Sequence, residues 1–202
     1  METKPISDPS WANQLRQRLS RLHESIALRR PDGPPRLAVV GIGHELRGDD
    51  AAGVVVARNL VEAFSNQGPS TEGSSGVAFW LSDWLLVVDA GPAPENCTGP
   101  LRRFEPDLVL LVDAAQMGTA PGEIRWLTWE DVSGLGMSTH MSSLRLLAGY
   151  LAAELGCEVA LIGIQPADDS LGAPLSPAVR QAVEVITEEL LRVWRLSDED
   201  NR

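Results

Sequence analysis

Four apolar runs constrain this chain more than anything else in it: LAVVGI from Leu37, LLVVD from Leu85, LVLLVD from Leu108 and VALIGI ending at Ile164. None of them alternates apolar with polar. A strand reads this way when both of its faces are covered, as in a parallel sheet between two layers of helix. The runs define strands at Arg36–Ile42, Leu85–Asp89, Leu108–Asp113 and Glu158–Ile164, and Glu123–Leu127 adds a fourth strand in chain order, at an edge. Segments of helical period lie between them at Asp50–Ala63, around Cys97–Phe104 and at Met141–Leu155. A last helix opens at Ser176-Pro177, a cap followed by proline at the first helical position, and runs to about Arg195. The alternation predicts a three-layer α/β/α sandwich on a largely parallel five-stranded sheet.

An N-terminal helix precedes this unit. Trp11, Leu15, Leu19, Leu22 and Ile26 recur at helical spacing behind Ser10, which is placed to cap, and the helix is expected to reach Leu28. The proline- and glycine-containing stretch Arg29–Pro35 separates it from the first strand. We therefore divide the chain into a helical extension at 1–35, a main domain at 36–196 and a disordered tail at 197–202. Ser65–Gly76 reads as a mobile surface loop, Phe79–Trp84 as a lead-in to the second strand, and Trp129–Leu135 as a helical turn.

Charge and cysteine usage narrow the functions open to such a domain. A net charge of −11 repels phosphate backbones and argues against a nucleic-acid partner, while leaving a basic peptide or protein possible. The two cysteines, Cys97 and Cys157, have no C-x-x-C spacing and read as buried, reduced thiols of a cytoplasmic protein. The segment METKPISDPS has no apolar signal core, and no apolar run approaches the ~18 residues that span a bilayer, so no membrane partner is expected.

In open parallel sheets, ligands bind beyond the carboxyl ends of the strands. Asp89 and Asp113 end two of the apolar runs, Asp49 and Asp50 follow the Gly41-Ile42-Gly43 turn after the first strand, and His140 begins a helix. Taken singly, an acid pair at a helix start is a capping device, and Asp113 or His140 alone has an ordinary structural reading. Taken together, Asp50, Asp113 and His140 offer two oxygens and one nitrogen on one rim, a set suited to a borderline divalent metal with open positions. Spacing alone leaves both readings open. A dinucleotide site is disfavoured: Gly41, Gly43 and Gly48 give G-x-G-x-x-x-x-G, and the acid needed ~20 residues further on is absent. No Lys-Ser/Thr pair follows Gly48, so no P-loop forms, and there is no G-x-S-x-G. His23, among charged neighbours, reads as a surface histidine.

The blocks GIGHELRGDDAAG, VVDAGPAPEN, LVDAAQMGTAPGEIR, STHMSSL and LIGIQP, in that order, resemble the nickel–iron hydrogenase maturation endopeptidases. The resemblance covers about Leu37 to Val193 and is nearest to the branch that processes hydrogenase 3-type, formate-hydrogenlyase-like large subunits. It implies a hydrolase that removes a C-terminal extension from the large-subunit precursor after nickel insertion. It further implies that Asp50, Asp113 and His140 bind the metal and serve catalysis, with nickel delivered by the precursor and no nucleotide required. Asp89 matches a strand-end acid near the cleft that is not a ligand, and Asp49 and His44 join it as residues expected to line the substrate cleft. His44 departs from the family pattern, which has Asn after the second glycine; a polar side chain there can still hydrogen-bond the substrate peptide, or compete for metal. The other reading that bare spacing permits is a metal- or nucleotide-binding α/β module without protease activity.

Overall fold

The computed structural model describes residues 10–27, 30, 33–65, 77–127 and 139–199, with side chains of the last stretch described for 144–195. Its strands are β1 (Leu37–Ile42), β2 (Ala78–Ser82), β3 (Leu85–Gly91), β4 (Leu108–Ala114), β5 (Ile124–Leu127) and β6 (Glu158–Ile164). The helices are α1 (Ser10–Ile26), α2 (Ala52–Ser65), α3 (Thr98–Phe104), α4 (Thr139–Leu155) and α5 (Pro177–Glu199). Strand order in the sheet is β2-β3-β1-β4-β6-β5. The inner four, which are the four apolar runs, lie parallel, and β2 and β5 close the two edges antiparallel.

Among the described residues the sheet thus has six strands, not five. AFWLS forms β2, hairpinned onto β3 through Asp83 and Trp84. The turn carries Asp83 after Ser82 but no Gly, Asn or Pro. Its second residue is apolar, and the buried Trp84 ring stacks on Trp194 of α5 at 6.3 Å between centroids.

Strand alternation sends side chains to two separate cores. Leu37, Val39, Leu85, Val87, Leu108, Leu110 and Val112 face α1, α2 and α5. Ala38, Val40, Ile42, Leu86, Val88, Val109 and Leu111 face α3 and α4. This is the expected three-layer arrangement. Helix α1 belongs to the first core: Trp11, Leu15, Leu22 and Ile26 are buried, and Arg16 reaches Glu189 of α5 with an N–O distance of 2.8 Å. The expected extension is therefore packed into the main domain.

Some boundaries differ from expectation. Helix α1 stops at Ile26, and α5 continues to Glu199, taking in the first three residues of the expected tail, where no helix-breaking residue intervenes. The expected helix start at Asp50 is a tighter 3₁₀ turn, Gly48–Ala51, before α2 begins at Ala52. Most of the expected mobile loop (66–76), the turn at 129–135, residues 1–9 and 200–202 lie outside the described residues.

The direction of winding changes next to β1. From β1 the chain crosses through α2 to β3 on one side, then returns through α3 to β4 on the other. Such a reversal opens a crevice at the carboxyl ends of the two strands flanking it. Gly41 of β1 pairs with Val112, so Asp113 stands level with Ile42, the last residue of β1.

Candidate active site

The turn after β1 is built by close backbone packing. A Cβ on Gly43, whose φ is +138°, would lie 1.7 Å from the carbonyl oxygen of Asp50. One on Gly53 would lie 2.0 Å from the carbonyl oxygen of Val112. The glycines let the start of α2 sit directly against the ends of β1 and β4. This seating brings the Asp49-Asp50 pair to the crevice.

Neither carboxylate caps its own helix, although both lie in the first turn. Asp50 turns back toward β1, its Oδ2 accepting the His44 N–H at 2.9 Å, and is half-buried. Asp49 turns the other way and is fully buried. Its Oδ2 accepts the N–H groups of Ala167 at 2.7 Å and Asp168 at 3.0 Å, and its Oδ1 that of Ser176 at 2.7 Å. Burial pushes the Asp49 carboxyl up, but the amides of Asp168, Ser176 and Ala167 together hold it below the usual carboxylate range. Asp49 is thus an anchor for the loop between β6 and α5, and does not line the cleft as expected.

Asp113 is fully buried at the end of β4. By strand alternation it shares the face of Val109 and Leu111, the face covered by α3 and α4. His140 is the second residue of α4, on that same side of the sheet; its side chain lies outside the described residues. The donor chemistry of Asp50 and Asp113 suits a hard or borderline cation, and an imidazole from the α4 start would complete a two-oxygen, one-nitrogen set. Among the described residues no group of three or more His, Cys, Asp and Glu side chains forms a metal site by itself.

Asp89 shares the rim but faces the opposite side of the sheet. It pairs with Gly41 in register and follows Val87 onto the α2 face, whereas Asp113 is offset by one residue. It lines a groove of about 440 Å³ together with Gly43, His44, Glu45, Val54 and Arg58. Arg58 of α2 bonds two carboxylates there, with Nε to Asp89 at 2.8 Å and Nη1 to Glu45 at 2.7 Å. The Arg58 partner holds the Glu45 carboxyl below its usual range, and Glu45 in turn raises Arg58. His44 lines the same groove, and its Nδ1 accepts the Leu46 N–H at 3.2 Å.

Sequence reasoning missed three rim residues. Arg58 and Glu45 meet across thirteen positions, with no local spacing rule to pair them. Gln165, directly after β6, is buried; its Oε1 accepts the Met117 N–H at 2.7 Å and its Nε2 donates to Gln116 at 2.9 Å, fixing the loop beyond Asp113. A glutamine ending an apolar run and followed by Pro166 was the available signal.

The doubly wound sheet, with buried and half-buried carboxylates at its switch point and a groove beside them, defines an α/β protein built to receive a ligand at the strand ends. The hydrogenase maturation protease family model matches residues 78–193, a stretch that includes Asp89, Asp113 and His140. The hydrogenase 3 maturation protease of Escherichia coli strain K12 is 32% identical over 150 residues, covering 74% of this chain and 85% of that protein. Among solved structures, the [NiFe] hydrogenase maturation protease HycI from Thermococcus kodakarensis KOD1 superposes with a TM-score of 0.64 at 29% identity, over 87% of this chain and 99% of that one. The hydrogenase maturating endopeptidase HybD from E. coli gives 0.60 at 25% identity, over 80% and 93%. The chain belongs to the hydrogenase maturation proteases, and its reaction is hydrolysis of a peptide bond.

Proposed function

We propose that this protein removes the C-terminal extension of a nickel–iron hydrogenase large-subunit precursor, and that Asp50, Asp113 and His140 grip the nickel which the precursor brings. The observation that carries the reading is the placement of Asp50 and Asp113 at the switch point, with residue 140 in the first turn of the helix that covers the Asp113 face. Two carboxylates and one imidazole make an incomplete shell that holds free nickel weakly. They bind it well when the substrate supplies the remaining ligands. The metal then acts as part of the substrate: it docks the loaded precursor and brings the scissile peptide to the rim, so proximity does much of the work. A rim carboxylate accepts a proton from the attacking water and passes it to the leaving amine nitrogen as the amide bond breaks. An unloaded precursor offers nothing to grip and is left uncut.

The test is cleavage of purified precursor with and without bound nickel. Loaded precursor should release its C-terminal peptide without added metal, and Asp113→Ala or His140→Ala should abolish release while leaving the circular dichroism spectrum unchanged. The purified protein itself should carry little nickel. Efficient cleavage of metal-free precursor in chelator would overturn the metal-grip reading and favour a purely carboxylate mechanism.

A further inference from the structure

The groove beside Asp50 has two walls that covalent geometry does not join. One is the loop after β1, carrying His44 and Glu45; the other is the end of β3, carrying Asp89, Ala90 and Gly91. A backbone bond from the Gly43 N–H to the Gly91 carbonyl, at 3.0 Å, joins them at one end, and a side chain from α2 bridges them at Glu45, since Arg58 donates to Asp89 at 2.8 Å and to Glu45 at 2.7 Å. We propose that Arg58 is a positioning residue for cleavage, a clasp that fixes the width and charge of the groove and, through the loop, the placement of Asp50. The proposal rests on the reading that this groove receives the precursor polypeptide.

The link to Asp50 is short. Glu45 follows His44 directly, and the His44 N–H donates to the Asp50 carboxylate at 2.9 Å. Holding Glu45 therefore holds the residue that orients Asp50. The clasp requires arginine because two separate carboxylates bond to different nitrogens of one planar guanidinium, a geometry that the single ammonium of lysine does not reproduce. Its charge matters as well: without Arg58, Glu45 and Asp89 would face each other across the groove as two uncompensated negative charges. The Arg58 and Glu45 side chains are 52% and 57% exposed, so their pair lies in a screened setting and contributes little to the fold, whereas Asp89, at 16%, is more enclosed. A buried structural arginine would not show this separation of folding from function.

The experiment compares Arg58→Met, Arg58→Lys, Glu45→Gln and the double variant Arg58→Met/Glu45→Gln on nickel-loaded precursor. The expected result for Arg58→Met is a loss of about tenfold in kcat/KM, carried mainly by KM, the size of effect that a small misplacement of substrate produces. Arg58→Lys should be intermediate. Because Arg58 acts through Glu45, the double variant should be no worse than Arg58→Met, while the thermal midpoint of Glu45→Gln stays at the wild-type value. Raising salt to about 0.5 M should weaken the wild type toward Arg58→Met, which should itself respond little. Wild-type kinetics in Arg58→Met, or effects that multiply in the double variant, would overturn the clasp. If Arg58→Met folds poorly, Glu45→Gln and the salt series decide the matter alone. Asp113→Ala separates the two readings: if it is inactive while Arg58→Met is normal, only the clasp fails, and if it cleaves normally the assignment of the rim itself fails.

Discussion

Asp49→Ala should cost the fold more than the loss of any other carboxylate at the rim. The carboxylate is fully buried and accepts three backbone N–H groups, from Ala167, Asp168 and Ser176, at 2.7, 3.0 and 2.7 Å. A hydrogen bond to a charged group contributes about 1.5–3 kcal/mol net. Ala167 and Asp168 are exposed residues whose amides can return to water, whereas Ser176 is half-buried. One bond at near full value and two at a fraction suggest a loss of about 3 kcal/mol. Asp49→Asn keeps an oxygen for two of the amides but turns an NH2 toward the third, for about 1–2 kcal/mol. The pH dependence follows from the pKa held below its usual 3.8. A carboxyl depressed in the folded state stabilises fully above its unfolded value and loses that contribution as pH falls through the lower folded value. The gap between wild type and Asp49→Asn should therefore be widest near neutrality and narrow below about pH 3.8. Urea titrations followed by tryptophan fluorescence at pH 7 and at pH 3 measure both effects. An Asp49→Ala variant within about 0.5 kcal/mol of wild type at pH 7 would refute the anchor.

Three further outcomes are expected. Gly53→Ala places a methyl 2.0 Å from the Val112 carbonyl oxygen, so it should destabilise by about 3 kcal/mol or more and lower the yield of folded protein; an unchanged melting temperature would contradict the packing described. Trp11, 1% exposed, should cost about 3–5 kcal/mol when changed to alanine, which a urea curve would show; a negligible loss would mean that α1 is only loosely docked. The Cys97 thiol is pushed up to about 12 by burial, so alkylation at pH 8 should proceed only after unfolding, with labelling followed by mass spectrometry.

The four inner strands were legible because each is covered on both faces and so reads as one apolar run, and proline after Ser176 located the last helix. Strand β2 was hidden because its tight turn, Asp83-Trp84, includes a tryptophan that finds its partner 110 residues on, in α5, a contact no local pattern reports. At the rim, the strand-end positions of Asp89 and Asp113 could be read directly, but their opposite faces could not. That depends on a one-residue offset in register across β1, and register is a tertiary property. The Asp49-Asp50 pair looked like a helix cap from sequence; the glycines pressing α2 onto the strands turn one carboxylate to a distant loop and the other back to the β1 turn.

The Asp49 anchor also orders events in time. Its three donors lie 118, 119 and 127 residues further along the chain. During synthesis, Asp49 emerges long before they do, and domains assemble from the N-terminus forward. Closing so long a loop is entropically costly until intervening structure has drawn the ends together. That structure is β6, whose docking on β4 delivers residues 167–176 to the carboxylate. The rim is consequently among the last parts of the molecule to become rigid, and an incomplete chain that lacks its final helix and the loop before it carries Asp50 and Asp113 without the frame that sets them for peptide cleavage.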